Sequence, residues 1–282
     1  MKELTVQAPA KVNFYLAIKS KRPDGYHEIE TWMQKLELAD TIKLQVSEAG
    51  ISLRCPGSDL PVNSENLAWQ AAALFLEETK IKNGIKIELI KKIPVAAGLG
   101  GGSSDGAAVL KGMNTLFSAG LPQQKLIEMA YSLGADVPFF IADPSAAWAT
   151  GIGEKLSEAE LQDQCRLVLV NPGFSVSTKW VYQNFALTTE DNPYILDRLL
   201  LYRNLCQNLF NDLESVTLKK YPEVATIKKK FLTCGADAVL MSGSGPTVFG
   251  IFQDEKTAQG CVNYFRPFFG ANVFLTKPAI SS

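Results

Sequence analysis

The sequence predicts an α+β protein, on three observations. Runs of β-branched and aromatic residues of strand length recur in both halves, stretches with helical apolar spacing lie between some of them, and the two kinds do not alternate in the regular βαβ order of a parallel sheet. At 282 residues the chain suits one large domain or two ordinary ones of about 150 residues, and at that size roughly three quarters of the unfolded surface is hidden. Hydrophobic residues at 46% and charged residues at 20% exclude a disordered or collagen-like chain. Lys plus Arg total 28 against 29 for Asp plus Glu, so no net field favours nucleic acid or an anionic membrane. An anion must then be captured by a local site.

Taken in order, Val12 to Ile18 reads as a strand running into a turn at Arg22-Pro23-Asp24-Gly25. Strands are predicted for Glu28 to Lys35, Thr41 to Val46 and Ile51 to Arg54. The stretch Glu65 to Glu78 turns helical, with Leu67, Ala71, Leu74 and Phe75 along one face. Gly84 to Ile90 alternates as a strand, and Pro94 opens a glycine-rich loop. Helices follow over Ser103 to Leu116 and Pro122 to Leu133, the latter ended by Gly134 as a left-handed cap. A second half begins near residue 155, after the Gly151-Ile152-Gly153 punctuation. It is expected to hold a strand at Arg166 to Val170 and a long helix over Tyr194 to Ser215, striped by Ile195, Leu199, Leu205, Leu209 and Leu213. A helix over Pro222 to Leu232 follows, then strands Ala238 to Met241 and Val248 to Phe252 around the tight loop SGSGPT.

The five cysteines are dispersed without a CxxC pair, which favours buried thiols in a reducing compartment. His27 is the only histidine and zinc spacing is absent. The longest candidate targeting segment, Val12 to Ile18, contains Asn13, ends in Lys19 and lacks a small-residue cleavage pattern. No apolar run approaches the roughly 20 residues of a membrane span. A cytoplasmic protein is expected.

Residues 94 to 108 read PVAAGLGGGSSDGAA, between a predicted strand and a helix. Consecutive glycines let backbone N–H groups converge without side chains in the way, and the helix adds free N-terminal donors and the positive end of its dipole. That outlines a phosphate cradle; a flexible surface loop is the bland competitor. Ser103 and Ser104 offer hydroxyls to phosphate oxygens or to magnesium, a hard cation that prefers oxygen ligands. The chain has no Gly-Lys-Ser/Thr of a Walker loop and no HRD or DFG of a protein kinase. A dinucleotide fold fails too, because the third glycine of GxGxxG is Ser103 and a helix stands where the next strand should be.

Lys11 and Asn13 lie two apart in a strand and so share a face. Beside a phosphate cradle the lysine can offset developing negative charge and the amide can orient a hydroxyl; alone, such a lysine is usually a solvated surface group. Asp136, in GADVPFF, follows a helix end and precedes an apolar run, which suits either a capped loop aspartate or a poised base, and its local sequence favours the cap. Asp24 reads as a turn former. Tyr26 offers a flat face on which a base can stack, and a solitary His27 with no Asp-His-Ser pattern excludes a hydrolase triad.

Three segments together, PAKVNFYL, PVAAGLGGGSS and SGSGPTVFG, resemble the GHMP kinase superfamily of small-molecule kinases. The segments RPDGYHEIETWMQKLELADTI, LGADVPFF, NPGFSVSTKWVY and NDLE with YPE extend the resemblance over nearly the whole chain, to the branch that acts on a cytidine diphosphate-linked methylerythritol. The resemblance implies a two-domain fold. Residues 1–155 would form an ATP-binding half of the ribosomal-protein-S5-domain-2-like type, and residues 156–282 a ferredoxin-like substrate half, with the tail after about 274 returning to the first and the site in the cleft between them. It implies transfer of the ATP γ-phosphate to the 2-hydroxyl of the methylerythritol moiety, in the non-mevalonate route to isoprenoid precursors, with Mg2+ as cofactor and no nucleic-acid or membrane partner.

Carried over by position, Lys11 and Asp136 match the catalytic pair. Pro94, Val95, Ala96, Ala97, Gly98, Leu99, Gly100, Gly101, Gly102, Ser103 and Ser104 match the ATP-phosphate loop, with Ser104 also a magnesium ligand and Asn66 part of the nucleotide pocket. Asn13 and Thr178 match polar substrate contacts, Tyr26 and Tyr182 the aromatics around cytosine, and His27 the reader of its polar edge. The rival readings are another GHMP kinase, acting on mevalonate, homoserine or a sugar, and a non-catalytic nucleotide-binding protein on the same fold.

Overall fold

The computed structural model describes residues 2–160, 165–186 and 204–280. Two long strands organise it: β1 (Glu3–Lys21) and β2 (His27–Ser47). In β1 every residue from Ala10 to Ile18 is buried, as expected of a central strand covered on both faces. The strands predicted at 28–35 and 41–46 are one continuous strand. The polar stretch between them does not break it, because Asp40 is wholly buried and its carboxylate accepts the backbone N–H groups of Lys92 and Ile93, at 2.5 and 2.8 Å.

By contacts the chain divides into two compact units, and both long strands run through each. The first takes the residues up to Ala10, Leu38–Val95 and Gly100–Asp143; the second takes Lys11–Glu37, Ala96–Leu99 and the chain from Pro144 onward.

In the first unit, β4 (Gly84–Ile90) pairs antiparallel with β2 in the register Thr41 to Ile90 and parallel with β3 (Ile51–Arg54). Ile85, Ile87 and Leu89 point into the core while Lys86 and Glu88 alternate outward. The helices are α1 (Leu67–Thr79), α2 (Gly101–Leu116), α3 (Gln123–Leu133) and α4 (Val137–Ile141). α1 packs on α2, and α4 packs on α2 and α3. Helix α2 starts two residues earlier than predicted, within the glycine run. Gly134 is extended rather than a left-handed cap, with φ 158° and ψ 158°, so the chain leaves α3 straight towards Asp136.

In the second unit, the first part of β2 pairs with β5 (Ala146–Gly151), Trp32 opposite Trp148, and β5 turns into β6 (Lys155–Glu158). The glycines at 151 and 153 are thus the turn of a hairpin, which the sequence reading passed over. A second, antiparallel sheet has the order β11-β7-β10-β9, from β7 (Arg166–Val170), β9 (Ala238–Met241), β10 (Val248–Phe252) and β11 (Val273–Thr276). Numbered along the chain that order is 4-1-3-2, the βαββαβ arrangement of a ferredoxin-like fold. After β11, residues 277–279 bond back to 35–37 in β2: Lys277 O accepts from Glu37 N and Ala279 N donates to Lys35 O, each at 2.9 Å.

Helix α5 (Thr178–Asn184) follows β7. The long helix predicted for 194–215 lies outside the described residues up to 203. From there the chain breaks into α6 (Leu205–Asn208), a two-residue strand β8 (Phe210–Asn211) and α7 (Glu214–Lys220). Pairing of β8 with β1, Leu16 opposite Asn211, overrides the helical stripe at Leu209 and Leu213. α8 (Pro222–Thr233) and α9 (Glu255–Phe269) pack on the second sheet. α9 buries Ala258, Cys261, Val262 and Phe265, the i, i+3, i+4, i+7 spacing of an amphipathic helix.

Candidate active site

In the second unit Lys11 and Asn13 are both buried, at 5% and 2% exposure. Their side chains share one face of β1, as spacing required. Lys11 Nζ donates to Asn13 Oδ1 at 2.7 Å, Asn13 Nδ2 donates to Thr31 Oγ1 at 2.8 Å, and Thr31 Oγ1 donates to the Tyr15 carbonyl oxygen at 2.6 Å. The solvated-lysine alternative is excluded by this burial.

The first glycine loop reaches the same strand. Lys11 N donates to Leu99 O at 2.9 Å, and the loop turns through left-handed conformations at Ala96, Gly98 and Gly100. Gly98 has to be glycine: its φ is +78°, and a Cβ there would overlap the Ser242 carbonyl oxygen. Pro94 is half-buried, Val95 and Ala96 are exposed, Ala97 and Leu99 are buried. Gly101, Gly102, Ser103 and Ser104 form the first turn of α2, leaving early N–H groups without intrahelical acceptors.

A second glycine loop, residues 242–247, closes against the first. Ser242 Oγ donates to Gly98 O at 2.9 Å and Thr247 N donates to Ala97 O at 3.4 Å. A Cβ on Gly243 would lie 3.4 Å from Asn13 Oδ1 and 3.6 Å from Lys11 Nζ, so this loop passes directly over the lysine–asparagine pair. It is held from behind by Asn211, whose amide donates to Met241 O and Gly243 O at 2.8 Å each, by Thr217 Oγ1 donating to Ser244 O at 3.1 Å, and by Asn171 Nδ2 donating to Thr247 Oγ1 at 3.0 Å. The glycine pattern flagged this loop in the sequence, whereas Asn211 and Thr31 lie in segments that carry the resemblance but were assigned no role, and Thr217 gave no local signal.

Thr178, the first residue of α5, places Oγ1 2.8 Å from Ser244 Oγ; Tyr182 lies one turn on along the same face. His27 is buried, with its ring centroid 5.5 Å from Tyr182 and 6.5 Å from Phe185. Burial, with Lys21 adding, holds the His27 pKa below its usual value and leaves a neutral imidazole. Tyr26 is 60% exposed beside it, on a turn fixed by Tyr26 N donating to Asp24 Oδ1. Asp24 is the turn former expected.

In the first unit, Lys91 at the foot of the first glycine loop donates to Asp40 and, at 2.7 Å, to Asp105 Oδ2, just past the first turn of α2. Burial disfavours the Lys91 charge, but the two carboxylates outweigh it and raise its pKa. Burial pushes Asp105 up to about 7 against the pull of Lys91. Ser104 Oγ is buried and finds no hydrogen-bond partner among the described residues. Asn66 caps α1, accepting from Ala68 N and donating to Pro61 O, each at 2.9 Å, so its amide is engaged at both ends. Asp136 is half-buried at the N-cap position of α4, yet its side chain makes no capping bond there. The cap favoured by local sequence is not formed.

Comparison with known proteins identifies the family. Residues 66–143 match the GHMP kinases N terminal domain and residues 194–271 the GHMP kinases C terminal domain. A 4-diphosphocytidyl-2-C-methyl-D-erythritol kinase of Citrifermentans bemidjiense is 48% identical over 92% of this chain and 93% of its own. A crystal structure of 4-(cytidine 5'-diphospho)-2C-methyl-D-erythritol kinase is similar at TM-score 0.85 and 34% identity, covering 98% of this chain and all of that one. A homoserine kinase from Cytophaga hutchinsonii shares the fold, at TM-score 0.74 and 20% identity over the whole of this chain and 96% of its own. The chain belongs to the GHMP kinases, and among them to the family of the 4-diphosphocytidyl-2-C-methyl-D-erythritol kinases.

Proposed function

We propose that this chain transfers the γ-phosphate of ATP to the 2-hydroxyl of 4-diphosphocytidyl-2-C-methyl-D-erythritol, releasing ADP and the 2-phosphate, in cytoplasmic isoprenoid precursor synthesis. The observation that carries the reading is the buried Lys11–Asn13 pair beneath two interlocked glycine loops, in a chain 48% identical to a kinase of that name. Phosphoryl transfer needs mainly positioning and charge stabilisation from the protein. Residues Pro94 to Ser104 hold the triphosphate through backbone N–H groups, and Lys11 offsets negative charge on the transferring group. Asp136 takes the hydroxyl proton or holds that hydroxyl in line. Asn13 and Thr178 orient the substrate, Tyr26 and Tyr182 flank its cytosine, and neutral His27, donor on one ring nitrogen and acceptor on the other, reads the base edge. Asn66 supports the nucleotide pocket by fixing the start of α1.

Magnesium fits this site through Ser104, whose buried hydroxyl oxygen is a hard ligand with no hydrogen bond made among the described residues. Bound magnesium would neutralise phosphate charge on ATP. The same reading assigns residues 1–155 to the ATP-binding domain and 156–282 to the substrate domain. The matches at 66–143 and 194–271, one on each side of residue 155, support it. No helix among the described residues is long and apolar enough to cross a membrane.

Asp136→Asn tests the mechanism by ADP release. General-base help is worth about 10²–10⁴-fold, so kcat should fall within that range while ATP binding changes little. Near-normal turnover would remove Asp136 from the reaction. Titration with CMP tests the substrate: selective binding supports the cytidine reading, and its absence favours a mevalonate-, homoserine- or sugar-type kinase.

A further inference from the structure

We propose that Thr31 is a positioning residue for phosphoryl transfer, its hydroxyl fixing the orientation of the Asn13 amide and through it the Lys11 ammonium. The inference rests on the role of Lys11 proposed above. Thr31 lies on β2, 18 residues from Asn13, and is 2% exposed. Its single hydroxyl proton goes to the Tyr15 carbonyl oxygen at 2.6 Å, so it presents only lone pairs to Asn13 and accepts from Nδ2 at 2.8 Å. With its NH2 end committed there, the amide has to turn its oxygen to the other side, where Lys11 Nζ donates at 2.7 Å.

A flipped amide would set NH2 against the ammonium and oxygen against a hydroxyl whose proton is already used. Both contacts are repulsive, and both are buried, where mispaired polar groups are most costly. The chain of bonds therefore has one sense, anchored at its end on a backbone carbonyl of the strand that carries Lys11 itself. Valine would fill the volume of Thr31 with no polar group to satisfy, so the contribution of this hydroxyl is orientation rather than packing.

The test is steady-state kinetics on Thr31→Ser, Thr31→Cys and Thr31→Val, with circular dichroism to establish folding. Thr31→Val should lower kcat about tenfold, the size of one buried hydrogen bond to a charged system, with KM for ATP little changed. Thr31→Ser, which keeps the hydroxyl, should restore most of kcat, and Thr31→Cys, a weak donor, should fall between. If Thr31→Val does not fold, the order of serine above cysteine carries the same test.

Equal kcat across the folded variants overturns the proposal, as does a loss confined to KM. Lys11→Met separates the two readings. If it abolishes turnover while the Thr31 series stays at the wild-type rate, only Thr31 loses its role; if Lys11→Met itself turns over normally, the role of Lys11 fails first. In a Lys11→Met background with measurable residual activity, Thr31→Val should have no further effect on kcat.

Discussion

The two glycine loops look alike in sequence and do opposite work. Residues 94–104 expose Val95, Ala96 and Gly102, and their N–H groups open onto the start of α2. Residues 242–247 are buried throughout, and their backbone is spent internally: Ser242 N donates to Thr247 O and Gly245 N to Ser242 O, while Asn211 and Thr217 fill three of the surrounding carbonyls. On the function proposed above, glycine serves the first loop by leaving amides available to a ligand. It serves the second by letting backbone pass close to Asn13 and Lys11. The difference teaches that a glycine run marks close approach, and that hydrogen-bond accounting decides whether the approach is to a ligand or to the protein itself.

The contact between the loops is where this comparison breaks most easily. Gly98→Ala places a methyl group on the Ser242 carbonyl oxygen and forces a left-handed alanine. It should cost on the order of 3–5 kcal/mol in urea unfolding and raise KM for ATP steeply. A variant of wild-type stability and affinity would mean that the loops are not mutually locked. Asn211→Ala removes the two buried bonds that hold the second loop from behind and the one that its Oδ1 accepts from Leu213 N at 3.0 Å. A loss of about 2–4 kcal/mol is expected, with kcat falling more than ATP affinity; the reverse pattern would show the buried loop to be a nucleotide contact.

The smallest effect concerns the foot of the first loop. Burial raises Asp105 to about 7, so the folded chain keeps a proton that the unfolded chain has lost between about pH 4 and pH 7. Stability from this group is therefore present at low pH and falls as pH rises through that window, above which an ionised carboxylate is buried. Asp105→Asn should flatten this slope in urea titrations and gain about 1–2 kcal/mol over wild type at pH 8, a figure discounted for the retained Lys91–Asp40 pair. A variant less stable than wild type at pH 8 would show that Lys91 needs both carboxylates.

Much of the site was legible because it rests on short-range spacing. Lys11 and Asn13 two apart, and glycines between a strand and a helix, each declare a local geometry. The turn at Asp24 and the strands at 51–54, 84–90, 238–241 and 248–252 follow the same logic, and the structure places those four strands on the residues predicted. Other elements were legible but unread: α9 carries a clear apolar stripe through Ala258, Cys261, Val262 and Phe265. Still others were illegible. Asp40 looks like a strand breaker until Lys92 and Ile93 satisfy its carboxylate, and Asn211 looks helical until β8 docks on β1.

By itself, then, the sequence determined the α+β class, the glycine loop between a strand and a helix, and the face shared by Lys11 and Asn13. These follow from periodicity and backbone freedom within a few residues of one another. Tertiary structure alone decided that Thr31 orients Asn13, that Ser242 locks Gly98 across 144 residues, and that Asn211 rather than a helix supports the second loop. The physical reason is that a buried polar group is satisfied by whichever partner the sheet register brings to it, and register is a property of the whole packed chain.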